Sequence, residues 1–193
     1  GADVLVLDHA KAAGEKIRIS GGGRCNFTNL YAGPENFLSA NPHFAKSALA
    51  RYNQWDFLDL VGRHHIAWHE KTLGQLFCDD SAKQIIAMLL AEMVRNDVTL
   101  WLQSTITEVQ KTDSGFQVTI EREGKRKQVS CRNLVLASGG KSIPKMGATG
   151  LAYDLAAHFG MALTETRAAL VPLTFSDRRF AEISGVSLPV RIR

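Results

Sequence analysis

Three consecutive glycines, Gly21-Gly22-Gly23, lie between Lys16-Ile17-Arg18-Ile19-Ser20 and Arg24-Cys25-Asn26-Phe27-Thr28-Asn29. Glycine has no Cβ, so its amide can approach a phosphate or a flat ring closely, and it accepts φ > 0 without strain. Arg24 adds a planar cationic fork, and Asn26, Thr28 and Asn29 add short hydrogen-bonding arms. A glycine-rich turn by itself is more often a plain loop, so the ligand-cradling reading depends on what surrounds it.

An apolar run, Val4-Leu5-Val6-Leu7, ends in Asp8. Unbroken runs of this kind suit a strand of a parallel sheet covered on both faces, with the acid at its carboxyl end. Residues 45–63 carry apolar side chains at helical spacing, and Ser81 is placed to cap a second helix, 82–94, with Ile85, Ile86, Leu89, Leu90 and Met93 inward. From Thr99 to Ala137 the period changes to two. Strands near 99–102, 105–111, 116–121 and 128–131, parted by Asp113-Ser114-Gly115 and Glu123-Gly124-Lys125, predict an antiparallel meander. The apolar strand Leu134-Val135-Leu136-Ala137 then runs into Ser138-Gly139-Gly140, the kind of small-residue turn at which α/β folds bind nucleotides. A helix over 151–159 stops at Gly160, and beyond Arg167 the pattern (Leu170, Val171, Leu173, Phe175; Val186, Leu188, Val190, Ile192) reads as short strands of a second domain. The expected division is therefore 1–167 and 168–193.

With 45% apolar and 22% charged residues the composition is that of a globular chain. The +4 net charge is spread out apart from Lys125-Arg126-Lys127, which reads as a solvated hairpin tip, so nucleic acid is not expected as a partner. Cys25, Cys78 and Cys131 form no CxxC pair, which indicates neither a disulfide framework nor a zinc site and fits a reducing cytoplasm. No apolar run reaches membrane-span length. Gly1-Ala2 leads straight into a strand without a methionine, and the chain is read as a fragment truncated at both ends.

Taken together, Asp8 on its strand, the Ser-Gly-Gly-Gly-Arg-Cys-Asn-Phe-Thr-Asn loop, the segment 70–82 and the Leu-Val-Leu-Ala-Ser-Gly-Gly run resemble the two-dinucleotide-binding-domain flavoproteins. More narrowly, the chain is similar to the YhiN/BaiN-type FAD-dependent oxidoreductases, also called the aminoacetone-oxidase family. The resemblance implies a Rossmann-like α/β FAD-binding fold with an inserted antiparallel meander and helices, its first strand and GxGxxG turn lying outside this sequence. Residues 1–193 alone are then expected to bind FAD weakly and to be inactive. It further implies that Asp8 accepts hydrogen bonds from the adenosine ribose. Lys16 and the amides of Ser20, Gly21, Gly22 and Gly23 would lie along the ribityl and pyrophosphate portion or under the flavin, and Arg24, Cys25, Asn26 and Thr28 would approach the ring system. The backbone of Ile106 would meet adenine, and Ala137, Ser138, Gly139 and Gly140 would let the chain pass close to the cofactor. Three positions depart from the family pattern: Glu15 stands before Lys16 in place of arginine, Ser138 replaces threonine, and Ala152 replaces glycine. The implied chemistry is hydride or electron transfer to or from a small organic substrate, with NAD(P)H left open as reductant and no catalytic acid or base named. A non-catalytic flavin-binding module with RNA contact is the alternative.

His64, His65 and His69 near Cys78, Asp79 and Asp80 invite a metal reading, but no glutamate stands at a catalytic-metal spacing, and ordinary surface or packing histidines are favoured. Cys25 has no second cysteine a few residues on, which disfavours dithiol chemistry.

Overall fold

The computed structural model describes residues 2–143, 147, 149–167, 175–177, 179–183, 186 and 191. The chain divides into two compact units, Gly1–Ala162 and Leu163–Arg193. The second has one described turn of 3-10 helix, Ala181–Ile183. Most of its anticipated strand residues, including Leu170, Val171, Leu173 and Leu188, lie outside the described residues.

In the first unit, β1 (Leu5–Leu7) pairs in parallel with β5 (Thr99–Trp101), Leu5 opposite Thr99 and Leu7 opposite Trp101. This corrects the sequence reading, which placed 99–102 in the meander. A three-residue strand has too few positions for its period to reveal a partner. Nor is β1 covered on both faces: Val4 and Val6 are each 38% exposed, while Leu7 packs into a core with Trp101 and Ile106. Backbone bonds continue past β1, from Asp8 N to Trp101 O (2.9 Å), Ser104 N to Asp8 O (3.0 Å) and Gln103 N to Ala10 O (3.0 Å). These tie the end of β1 to the start of the meander.

The meander itself is β6 (Ser104–Thr112), β7 (Gly115–Arg122) and β8 (Lys125–Cys131), antiparallel in that order. Its second turn, Glu123-Gly124, has both residues at positive φ (55° and 68°), the conformation whose twist matches the flanking strands. Val109, Val118 and Ile120 form its buried core, against which Leu155 and Phe159 pack.

A three-stranded antiparallel sheet, β2 (Asn26–Asn29), β4 (Gln75–Cys78) and β3 (Trp68–Glu70), has β4 central. The single helix expected over 45–63 is two, α2 (Lys46–Arg51) and α3 (Gln54–Arg63). Asn53 separates them because it makes a reciprocal cap. Its Oδ1 accepts from Trp55 N (2.8 Å) and Asp56 N (3.3 Å), while Asp56 Oδ2 accepts from Asn53 N (2.7 Å). Ser81 caps α4 (Ala82–Arg95) as the sequence indicated, accepting from Lys83 N at 3.2 Å. The buried face of α4 is Ala82, Ile85, Ile86 and Met88, whereas Leu89 is exposed. Burial of each of Ile85, Ile86 and Met88 contributes about 1.5–3 kcal/mol. His64, capping α3, lies 2.7 Å from Glu92 Oε1 on α4, and that hydrogen bond holds the Glu92 carboxyl below its ordinary range.

Residues 133–140 carry no ladder, in contrast to the strand expected there: Leu134 packs under the meander, but Val135 is 83% exposed. Helix α5 (Leu151–His158) ends as anticipated, with Gly160 at φ 72°. No helix of the described residues is long and apolar enough to cross a membrane.

Candidate functional site

Helix α1 (Glu15–Ile19) delivers the glycine triplet. It is short, and α4 anchors it: a Cβ on Gly14 would lie 2.8 Å from Ile86 Cγ1, so only glycine permits this approach. Ser20 closes the helix, its hydroxyl donating to Ile17 O at 2.9 Å. Gly21, Gly22 and Gly23 then take φ of 57°, 65° and 86°, three successive left-handed residues that L side chains rarely adopt. The turn closes through Cys25 N to Ser20 O (3.0 Å), and Arg24 O accepts from Cys78 N (2.9 Å), seating it on β4.

The three glycines differ in what surrounds them. A Cβ on Gly21 would strike Phe77 Cε1 at 2.6 Å and Asn26 N at 2.7 Å. On Gly22 it would meet nothing within 4 Å among the described residues. Gly139, at φ 74°, likewise has nothing within 4 Å of its Cβ position among the described residues. Bare left-handed backbone bordering open space is what a closely approaching flat or phosphate-bearing ligand requires, so the residues present fit a dinucleotide cofactor. A further polar group is left over: Arg18 Nε, in the helix leading to the triplet, is buried without a hydrogen-bond partner among the described residues.

The two segments are linked. Lys16 Nζ lies 3.4 Å from Ser142 Oγ, joining α1 to the residues just after Gly140. On its other side that segment meets α5, since a Cβ on Gly140 would come within 2.9 Å of Tyr153 Oη. Ala137, Ser138 and Gly139 are exposed. Asp8 stands at the carboxyl end of β1, half-buried, with Oδ1 accepting from Ala10 N at 2.9 Å. That turn leaves its second oxygen free of protein hydrogen bonds among the described residues.

Other predicted site residues have structural employment. The Cys25 side chain is 5% exposed and packs with Val61, Cys78 and Ile85, so it faces the core rather than the open side of the turn. Ile106 likewise sends its side chain into the core beside Leu7, leaving only its backbone, on edge strand β6, to meet a ligand. Arg24 and Asn26 are exposed, and Thr28 is half-buried on β2. Burial, with Cys25 beside it, pushes the Cys78 thiol up to about 11. The thiol is therefore neutral near pH 8, where only thiolates react. Iodoacetamide at that pH is expected to label half-buried Cys131 and to spare Cys78, as read by peptide mass spectrometry; equal labelling of both would contradict the burial.

The histidines part company. His64 pairs with Glu92, His65 follows the helix at φ 54°, and His69 Nδ1 lies 2.7 Å from Asp79 Oδ1. Among the described residues no three His, Cys, Asp or Glu side chains converge as a metal site would need. Sequence reasoning missed Arg18, Ser142 and Tyr153, none of which has a local pattern to mark it.

A parallel strand pair ending in an acid, a left-handed glycine turn and a second open glycine segment define a Rossmann-like nucleotide-binding α/β domain. The chain belongs to the HI0933-like protein Rossmann domain family, which it matches over residues 1–188. It is 52% identical over 192 residues to a ribosomal RNA dihydrouridine synthase of Escherichia coli (strain K12), covering 98% of this chain and 47% of that protein. It is 45% identical over 194 residues to a protein of the same name from Haemophilus influenzae, covering 100% of this chain and 48% of that protein. A 3-dehydro-bile acid delta(4,6)-reductase of Clostridium scindens is 26% identical over 193 residues, covering 99% of this chain and 46% of that protein. The chain thus spans about half the length of the curated relatives it matches.

Proposed function

We propose that this chain is the FAD-holding part of a flavin-dependent enzyme that reduces a uridine of ribosomal RNA to dihydrouridine. The observation that carries the reading is the 52% identity, across 98% of the chain, to a protein named for that reaction. The more distant relative is named as a reductase, and making dihydrouridine from uridine is likewise a reduction, so the two names are compatible while differing in substrate. This replaces the small organic substrate implied by the resemblance and the absence of nucleic acid expected from the charge distribution. Net charge is a poor guide here, because presenting a flavin to one base needs no basic surface on the half of the protein that holds the flavin.

FAD supplies a two-electron carrier, and the chain's own residues hold and orient it. Asp8 takes the adenosine ribose through its free carboxylate oxygen, and Lys16 adds positive charge along the phosphates. The bare backbones of Gly22 and Gly139 admit the cofactor from two sides. The buried side chains of Cys78 and Cys25 stabilise the turn from beneath.

The test uses the full-length protein with FAD, NADPH and ribosomal RNA transcribed without modification. One uridine is expected to gain two hydrogens by mass spectrometry of RNA digests, in proportion to flavin loading. Flavin binding with no uridine altered would refute the RNA reading and favour either a small substrate or a non-catalytic module.

A further inference from the structure

The sheet formed by β2, β4 and β3 has two unlike faces. Leu76 and Cys78 point one way and are wholly buried. Phe77 points the other way, directly opposite Asn26 on β2 and His69 on β3, so the three side chains share a face. The glycine turn lies on that face, because the Cβ position of Gly21 is 2.6 Å from Phe77 Cε1 and 2.7 Å from Asn26 N. Next to it, the His69 ring stacks on Phe77 with centroids 6.2 Å apart and planes 19° apart. The row therefore runs from the glycine turn, over one phenyl ring, to an imidazole.

That imidazole is aimed. Asp79 Oδ1 accepts from His69 Nδ1 at 2.7 Å, and Asp79 is itself fixed by its amide, which donates to Ala67 O at 3.0 Å. With Nδ1 committed to the carboxylate, Nε2 is the atom left to exchange a proton, and it has no hydrogen bond to any described residue. The two side chains are 42% and 45% exposed, open to a ligand. Lys71 Nζ stands 5.4 Å from the centroid of the same Phe77 ring.

We propose that His69, aligned by Asp79 beside the glycine turn, delivers the proton that completes reduction of the substrate. The inference rests on the reading that uridine is reduced. The uracil 5,6 double bond is conjugated with the C4 carbonyl, so a hydride adds at C6 and a proton at C5. Two electrons and one hydrogen come from reduced flavin, which is left oxidised and is recharged by a pyridine nucleotide. The C5 proton leaves Nε2 of the imidazolium, whose Nδ1–H stays with Asp79, and water restores it. Asp79 is the positioning residue.

The test compares full-length wild type, His69→Gln and Asp79→Asn, each loaded with FAD, on unmodified ribosomal RNA. His69→Gln is expected to lose about 100-fold or more in uridine reduction, the range general acids contribute, with FAD affinity within about twofold of wild type. Asp79→Asn is expected to lose about tenfold. Nitrogen-15 spectra of the flavin-free proteins give a readout without turnover: neutral His69 should be the Nδ1–H tautomer in wild type and should shift toward Nε2–H in Asp79→Asn. Wild-type rates in His69→Gln, or an Nε2–H tautomer in the unaltered protein, would overturn the proposal while leaving the RNA reading intact. A wild-type protein that binds FAD and reduces no uridine would overturn both.

Discussion

Gly21→Ala is expected to lower the thermal midpoint by about 10 °C and to abolish FAD binding at 37 °C, whereas Gly22→Ala should remain folded and fail mainly in cofactor affinity. The two positions share a left-handed backbone, φ 57° and 65°, which costs an L side chain about 1–2 kcal/mol. Only at Gly21 does a methyl group also collide, with Phe77 Cε1 at 2.6 Å and the backbone nitrogen of Asn26 at 2.7 Å. Overpacking of this kind adds about 1–3 kcal/mol, and the backbone atom cannot step aside. At Gly22 the methyl meets nothing within 4 Å among the described residues, so its expected effect is on a ligand approaching that open side. Differential scanning fluorimetry and flavin fluorescence titration of the two variants separate the effects. Equal melting temperatures would contradict the packing assigned to Gly21, and unimpaired FAD affinity in Gly22→Ala would contradict the role of the open face.

Asp8→Asn is expected to raise the FAD dissociation constant about tenfold to a hundredfold with little change in apo stability. A hydrogen bond to a charged group is worth about 1.5–3 kcal/mol, and each 1.4 kcal/mol is tenfold in affinity. Asparagine keeps an Oδ1 to accept from Ala10 N, now at 2.9 Å from Asp8, so the turn after β1 survives while the charge is lost. Asp8→Ala removes both and should cost stability as well. Titration of full-length protein with FAD checks this; an unchanged dissociation constant in Asp8→Asn would remove the ribose contact from the account.

What the sequence revealed follows the strength of local signals. Ser81 and Gly160 punctuate helices through their own backbone chemistry, and both were readable. The hairpin at Glu123-Gly124 was readable for the same reason. Asn53 was not, because asparagine inside an apolar-periodic stretch looks like a surface residue until Asp56 is seen returning the hydrogen bond. The pairing of β5 with β1 was hidden by length, and the loss of a ladder over 133–140 depends on neighbours in space that hydrophobicity does not report. The glycine turn announced itself, yet its chemistry was only half legible. Composition gave no sign that Cys25 would turn inward, since cysteine serves equally in cores and at sites. His69 drew notice for the wrong reason: a metal pattern suggested it, and the observed partner is a single carboxylate ten residues away.

The central claim is that the glycine triplet and the segment ending in Gly140 border one bound FAD. Amide hydrogen exchange of the full-length protein, with and without FAD, tests it most directly. Exchange is expected to slow at least tenfold at Gly21–Gly23 and at Ala137–Gly140 together, saturating at the same FAD concentration. Protection of one segment without the other, or of neither at saturating FAD, would contradict the account.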